Sequence, residues 1–197
     1  TRTQSSLSFH SGRQCRTFPR LEAARLMMVW PVASADDQLA IAGADLATTI
    51  LAEGRRSRLV QKLREELQIV ESIDMDVTTL EQGSLVMLEA CCPTEQIERV
   101  EMEIHQQLNS SLTTAITDEE FHRALQLVGN GHRFSLEAPG AVAASAGSQT
   151  LWGRHRDLLA PLQDLMHWNA STLRERVMPL LQPQHSFTLI ARSEDNA

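Results

Sequence analysis

The stretch Gly54 to Val77, GRRSRLVQKLREELQIVESIDMDV, decides how the chain is organised. Leu59, Val60, Leu63 and Leu67 recur at helical spacing, with Lys62, Arg64, Glu65 and Glu66 around them, which predicts an amphipathic helix. From Ile69 the period changes to two. The odd positions are Ile, Glu, Ile, Met and Val, and the even ones are mostly Ser or Asp, as in a strand buried on one face. Glu71 breaks the apolar row, and a carboxylate in that phase belongs at a strand end or on a cleft.

Upstream, Ala23 to Val32 (AARLMMVWPV) is an apolar run stopped by Pro31, which predicts a buried strand. Ser34 offers a helix cap, and Leu39, Gly43, Leu46 and Ile50 mark one face of a helix ending near Gly54. The first twenty residues are polar and Arg-rich, and residues 1–17 read as a tail or linker entering one domain over 18–197. The chain opens at Thr1, as expected of a piece of a longer protein, and an upstream signal peptide would be invisible.

Downstream, Ile69 to Thr78 and Ser84 to Cys91 flank TLEQG, a hairpin signal with Gly83 available for the turn. Pro93 then opens a helix lined by Ile97, Val100, Ile104 and Leu108, and Thr117 with Glu120 forms a capping box for another through about Leu136. APGAVAASAGSQT suits either a loop or a closely packed helix. Leu158 to Trp168 and Ser171 to Leu181 read as helices, the second capped by Asn169 or Ser171, and Ser186 to Arg192 alternates as a closing strand. Trp152 and Trp168, near helix ends, read as core anchors. The order predicts an α+β domain, a mostly antiparallel sheet covered by helices.

Composition narrows the function. With 42% hydrophobic residues the chain is an ordinary globular domain, and its net charge of -7 opposes a nucleic-acid partner. The clusters Arg13, Arg16, Arg20 and Arg55, Arg56, Arg58 read as solvated surface. No apolar run approaches the roughly 18 residues of a transmembrane segment. Cys15, Cys91 and Cys92 form neither a disulfide framework nor a zinc ribbon. None of the seven histidines lies in HExxH or HxxEH, and Glu119 with His122 supplies only two ligands, so no metal site and no catalytic residue is assigned. No GxSxG elbow occurs, and Gly129 and Gly131 in VGNGHRF lie inside a helical pattern rather than a dinucleotide loop.

Gly54, Ser57, Arg58, Leu59, Leu63, Arg64, Glu65 and Leu67, followed by CPTEQIERV and ITDEEFHRA, carry a further signal. Together with the order of elements they resemble the second domain of a half-molecule in the pitrilysin/insulinase family of zinc metallopeptidases, which includes mitochondrial processing peptidase. The family pattern is a G-x-S-S-R-L stretch, then an L-R-E-x-L-G helix end and a tyrosine. The resemblance runs from about Phe18 to Arg192.

The resemblance implies an α/β domain duplicated into half-shells that enclose a chamber in which a peptide or unfolded protein is cut. Zinc and the general base are expected in an HxxEH-bearing domain of the same protein or of a partner subunit, with assembly as a homo- or heterodimer. This chain, lacking HxxEH, is expected to be a non-catalytic domain that completes the chamber and the subunit interface. The alternative is a purely structural or docking module of the same descent; an unrelated α+β binding domain is the third reading. The compartment stays open, cytoplasm or periplasm for a bacterial source.

In the family the second domain supplies an arginine and, seven residues on, a tyrosine near the scissile bond. The arginine maps onto Arg64 and the tyrosine onto Glu71, the substrate-binding candidates; the chain contains no tyrosine. A tyrosine hydroxyl donates to a developing oxyanion, whereas an ionised glutamate only accepts, and losing one such donor costs about 3 to 4 kcal/mol. Gln68 stands where the family ends its helix with glycine. Glu71 is expected to face the concave, open side, and Arg64 to contact substrate or to pair with Glu71 or a helix neighbour.

Overall fold

Strand alternation sets the layers of this domain. The computed structural model describes residues 7–151 and 153–194, so the reading of Trp152 lies outside the described residues. Five strands, β1 (Gly12–Phe18), β2 (Ala24–Val32), β3 (Ser72–Thr78), β4 (Ser84–Cys92) and β5 (Phe187–Ser193), form one sheet in the order β1-β5-β2-β4-β3. Only β1 and β5 run parallel; the other neighbours are antiparallel. The β3–β4 hairpin sets Ser72 opposite Cys91 and Thr78 opposite Leu85.

One row of each central strand is core. Ala24, Leu26, Met28 and Trp30 of β2 and Val86, Leu88, Ala90 and Cys92 of β4 are fully buried and belong to one cluster with the helices. The opposite row, including Met27, Val29, Leu85, Met87, Phe187 and Leu189, stays half-buried. Trp30 satisfies its indole N–H on the Gln182 carbonyl at 2.9 Å, so a large polar-tipped ring sits in the core without an unmet donor.

The segment expected to be a tail is corrected from Gly12 onward: it is the edge strand β1. All seven of its residues are exposed, so it carries no apolar alternation to read. Backbone bonding to β5 and a two-pronged ion pair from Arg13 to Glu101, at 2.8 and 2.9 Å, hold it.

The helices are α1 (Gln38–Ala52), α2 (Ile97–Ser110), α3 (Asp118–Ser135), α4 (Pro139–Leu151), α5 (Ala160–Leu165) and α6 (Ala170–Arg176). Asp37, not Ser34, caps α1, accepting from the Ala40 N–H at 3.0 Å. A 3-10 turn, Thr94–Gln96, precedes α2. The capping box of Thr117 and Glu120 opens α3, and Asn169 with Thr172 forms another at α6. The alanine-rich segment is helical, yet none of α4 is buried. The last two helices are shorter than predicted: α6 gives way to 3-10 turns around Pro179, because proline has no N–H with which to continue the helical ladder. Among the described residues no helix is long and apolar enough to cross a membrane.

Trp168 anchors α1 as the sequence suggests. It is buried, donates to the Leu39 carbonyl at 3.0 Å, and stacks under Arg176 with the guanidinium carbon 5.3 Å from the ring. Its ring lies against Gly43, where a Cβ would come within 2.7 Å of Cε2. Gly43→Ala gains about 1 kcal/mol of helix propensity but forces a fixed ring aside, a crowding that costs roughly 1 to 3 kcal/mol. The expected outcome is a net loss of stability, seen as a lower denaturation midpoint in urea.

Candidate functional site

The candidate element starts at Gly54, whose φ of 79° is a left-handed conformation suited to glycine. Ser57 folds back on it, with hydroxyl and N–H both donating to the Gly54 carbonyl, at 2.7 and 3.1 Å. The next residue, Arg58, is not solvated surface. Its side chain is only 12% exposed and reaches the carboxylate of Glu120 at 2.6 and 2.9 Å and the Ala115 carbonyl at 2.9 Å. Arg55 and Arg56 do stay on the surface.

Glu120 also accepts from the Thr117 N–H at 2.9 Å, so one carboxylate caps α3 and holds Arg58. Burial opposes its ionisation, but the hydrogen bonds from Arg58 and Thr117 outweigh that, and its carboxyl lies below the usual range. Between this joint and the end of α2 lies an open polar groove of about 400 Å3 that includes Lys62, Gln107, Ser110 and Thr114. Sequence reasoning did not find it, because its walls are distant in the chain.

The helix bearing Arg64, Val60–Glu66, is a π-helix rather than an α-helix. The Leu67 N–H bonds the Lys62 carbonyl five residues back, and the Ile69 N–H reaches Leu63, both at 3.0 Å. Gln68 then takes φ 52°, so the left-handed helix end persists without glycine. The chain enters the hairpin through the Glu71 N–H, which donates to the Cys91 carbonyl at 2.8 Å.

Arg64 is bound to its neighbour. Its Nε and guanidinium N–H both reach Glu65, at 3.1 and 2.9 Å, and Arg55 takes the other oxygen of Glu65 at 2.7 Å. The hydrogen bonds from Arg55, then Arg64, lower the Glu65 carboxyl. Glu71 is exposed, with a carboxylate oxygen 3.6 Å from the Cys91 thiol. No hydrogen bond or ion pair joins Arg64 to Glu71 among the described residues. Burial, reinforced by Glu71, pushes the Cys91 thiol up, and burial pushes Cys92 up to about 12, so neither is poised as a thiolate.

Glu119 and His122 do not converge. Glu119 pairs with Arg56 at 2.9 Å and the His122 Nδ1 lies 2.7 Å from the Asp118 carbonyl. Among the described residues no three His, Cys, Asp or Glu side chains come together to hold a metal ion.

Known proteins can be set beside this geometry. The family model for the peptidase M16 inactive domain matches residues 5–128. The fold is similar to a protease from Helicobacter pylori (17% identity, TM-score 0.80, 91% of this chain and 43% of that one). It is likewise similar to a chain of complex III2 from Candida albicans (15% identity, TM-score 0.79, 94% and 46%). An inactive peptidase domain from Bordetella parapertussis is matched over nearly its whole length (16% identity, TM-score 0.78, 88% and 92%). The chain thus spans less than half the length of the first two. No curated protein matches it.

Glu120→Ala leaves the buried Arg58 with the Ala115 carbonyl but without its countercharge, and is expected to destabilise the domain by roughly 3 kcal/mol. A carboxyl held below its unfolded value stabilises the fold above the unfolded pKa of about 4.3, a contribution lost as pH falls through the folded value. Urea midpoints measured down the acid range should therefore fall less steeply in the variant. At Gln68 the left-handed backbone costs roughly 1 kcal/mol for a side-chain-bearing residue, so Gln68→Gly is expected to hold or raise the thermal midpoint and Gln68→Val to lower it.

Proposed function

The chain belongs to the peptidase M16 inactive-domain family, the pitrilysin/insulinase group, and on that premise we propose that it is a non-catalytic domain of a zinc metallopeptidase assembly. It completes a peptide-binding chamber and an interface, and it supports hydrolysis of peptides or unfolded segments only beside a domain carrying HxxEH. The observation that carries this reading is the uncovered row of the sheet. Met27, Val29, Leu85, Met87 and Leu189 form an apolar strip left half-buried by a domain whose other face is fully packed. Asp74 and Asp76 edge the same face from β3, with Asp74 opposite Glu89. Such a face suits an extended peptide or the wall of a second domain.

In this reading zinc belongs to the partner domain: the sequence has no HxxEH, among the described residues no ligand set converges, and no step of hydrolysis uses a metal held here. Arg64 is the candidate peptide contact once it leaves Glu65. Glu71, an acceptor where the family has a donor, does not assist the oxyanion. That substitution favours a second reading, a structural module with no peptidase activity in the whole assembly, and the likeness to a chain of complex III2 accords with it.

The test is to measure zinc content and peptide cleavage for the chain alone and after mixing with an HxxEH-bearing domain of the same protein or of a partner subunit. The chain alone is expected to bind no stoichiometric zinc and to cleave nothing, and cleavage is expected to rise in the mixture. Arg64→Ala is expected to lower kcat/KM of the mixture by about ten- to a hundredfold, the loss of one charged hydrogen bond. Tightly bound zinc with turnover in the chain alone overturns the proposal; an inert mixture selects the structural reading.

A further inference from the structure

A second, smaller feature lies on the helical side of the sheet. A cavity of about 180 Å3 opens between α1, α3 and α5, lined by the apolar Ile41, Ala42, Val128 and Leu165 together with the polar Gln38 and Thr79. Two ionisable groups in it stand out, Asp45 from α1 and His132 from α3. A third, Asp164 of α5, is already taken by Arg156 at 2.7 and 2.9 Å.

Asp45 has no such partner. Among the described residues no hydrogen bond or ion pair reaches its carboxylate; the neighbouring Thr48 hydroxyl bonds the Asp45 backbone carbonyl instead, at 3.0 Å. Burial, with a smaller contribution from Glu53, pushes the Asp45 carboxyl up to about 7. Glu53 itself accepts from the Thr49 hydroxyl at 2.8 Å. Burial lowers the pKa of His132 and so disfavours the cation that could offset Asp45. An acidic group held against apolar walls with no cation is a poor structural choice, and arriving positive charge would relieve it.

The ligand class follows from shape and donor set. A hard metal ion needs several oxygen ligands, and among the described residues lining the cavity Asp45 is the one uncommitted carboxylate. The volume is below the roughly 300 Å3 at which pockets for drug-sized molecules begin. A short alkyl stem with a cationic tip matches both the walls and the carboxylate. We propose that this cavity binds a primary alkylammonium group, with Asp45 pairing to the ammonium and Ile41, Ala42 and Val128 packing its stem. The group can come from a free amine or from a lysine side chain.

The test is titration of the isotope-labelled 197-residue chain with n-butylamine, with Nα-acetyl-lysine amide and with n-butanol, followed by amide shifts. Either amine is expected to move signals of α1, α3 and α5 around the cavity, and n-butanol to bind at least tenfold more weakly. Affinity is expected to rise roughly tenfold from pH 6 to pH 8 as Asp45 ionises, while the amine, of pKa about 10, stays protonated. Asp45→Asn is expected to abolish the preference for the amines over n-butanol. Binding by n-butylamine alone assigns the site to free amines, and binding by the lysine amide alone assigns it to side chains. Equal binding of n-butanol, a flat pH profile in the wild type, or no binding by either amine overturns the proposal.

Discussion

The constraint on which this fold depends is that its sheet is packed on one face only. Period-2 alternation then divides every central strand into a row that must be apolar and a row that is free to be anything. In β2 the core row runs Ala24, Leu26, Met28, Trp30, and the free row runs Arg25, Met27, Val29, Pro31. The free row has not become uniformly polar. Beside the apolar strip, Asp74 sits directly across from Glu89, an opposition that β-pairing disfavours, and Arg25 offsets it, at 2.6 Å from Glu89. Partial desolvation, with Glu89 and Asp76 nearby, raises the carboxyl of the otherwise exposed Asp74. A face that keeps partly buried apolar groups next to mutually repelling carboxylates is not arranged for the stability of the isolated domain.

The helical side solves a different problem, how to hold an irregular helix. A π-helix is rarely sustained by its own hydrogen bonds, and Val60–Glu66 is fastened at both ends. At its start Arg58 is tied to Glu120, which caps α3 at the same time, so the entry to one helix and the entry to another share a carboxylate. At its end Gln68 accepts a left-handed backbone so that Ile69 and Val70 can turn into the core. Leu63, fully buried between these two fastenings, sets the rotation that leaves Arg64 at the surface.

What was legible in the sequence tracks what burial imposes. The β3–β4 hairpin, the core strand β2 and the capping box at Thr117 could be read because each has a local pattern with one physical cause. β1 could not, since an edge strand with every side chain exposed leaves no periodicity, and its place is decided by backbone pairing with β5, far along the chain. The π-helix was hidden because its apolar spacing at Leu59, Val60, Leu63 and Leu67 also fits an α-helix. Arg58 looked like one of three surface arginines; only the fold brings Glu120 to it from 62 residues away. Asp45 gave no sign at all, as a single acid on a helix that is otherwise small and apolar.

The candidate pair at Arg64 and Glu71 can be weighed in the same terms. For a peptide carbonyl to be polarised here, a donor must lie free and aimed at the bond. Arg64 is a donor, but Glu65 holds it with two hydrogen bonds, and Glu65 in turn is shared with Arg55, so releasing Arg64 still leaves Glu65 with a cation. That sharing makes release less costly than breaking an isolated pair. Glu71 admits no such recovery, because an ionised carboxylate repels an oxyanion wherever it points. The two positions are therefore not equivalent relics. Under the proposed reading, the arginine remains available to a bound peptide through exchange of partners, while any stabilisation of the oxyanion has to come wholly from the domain that holds the zinc.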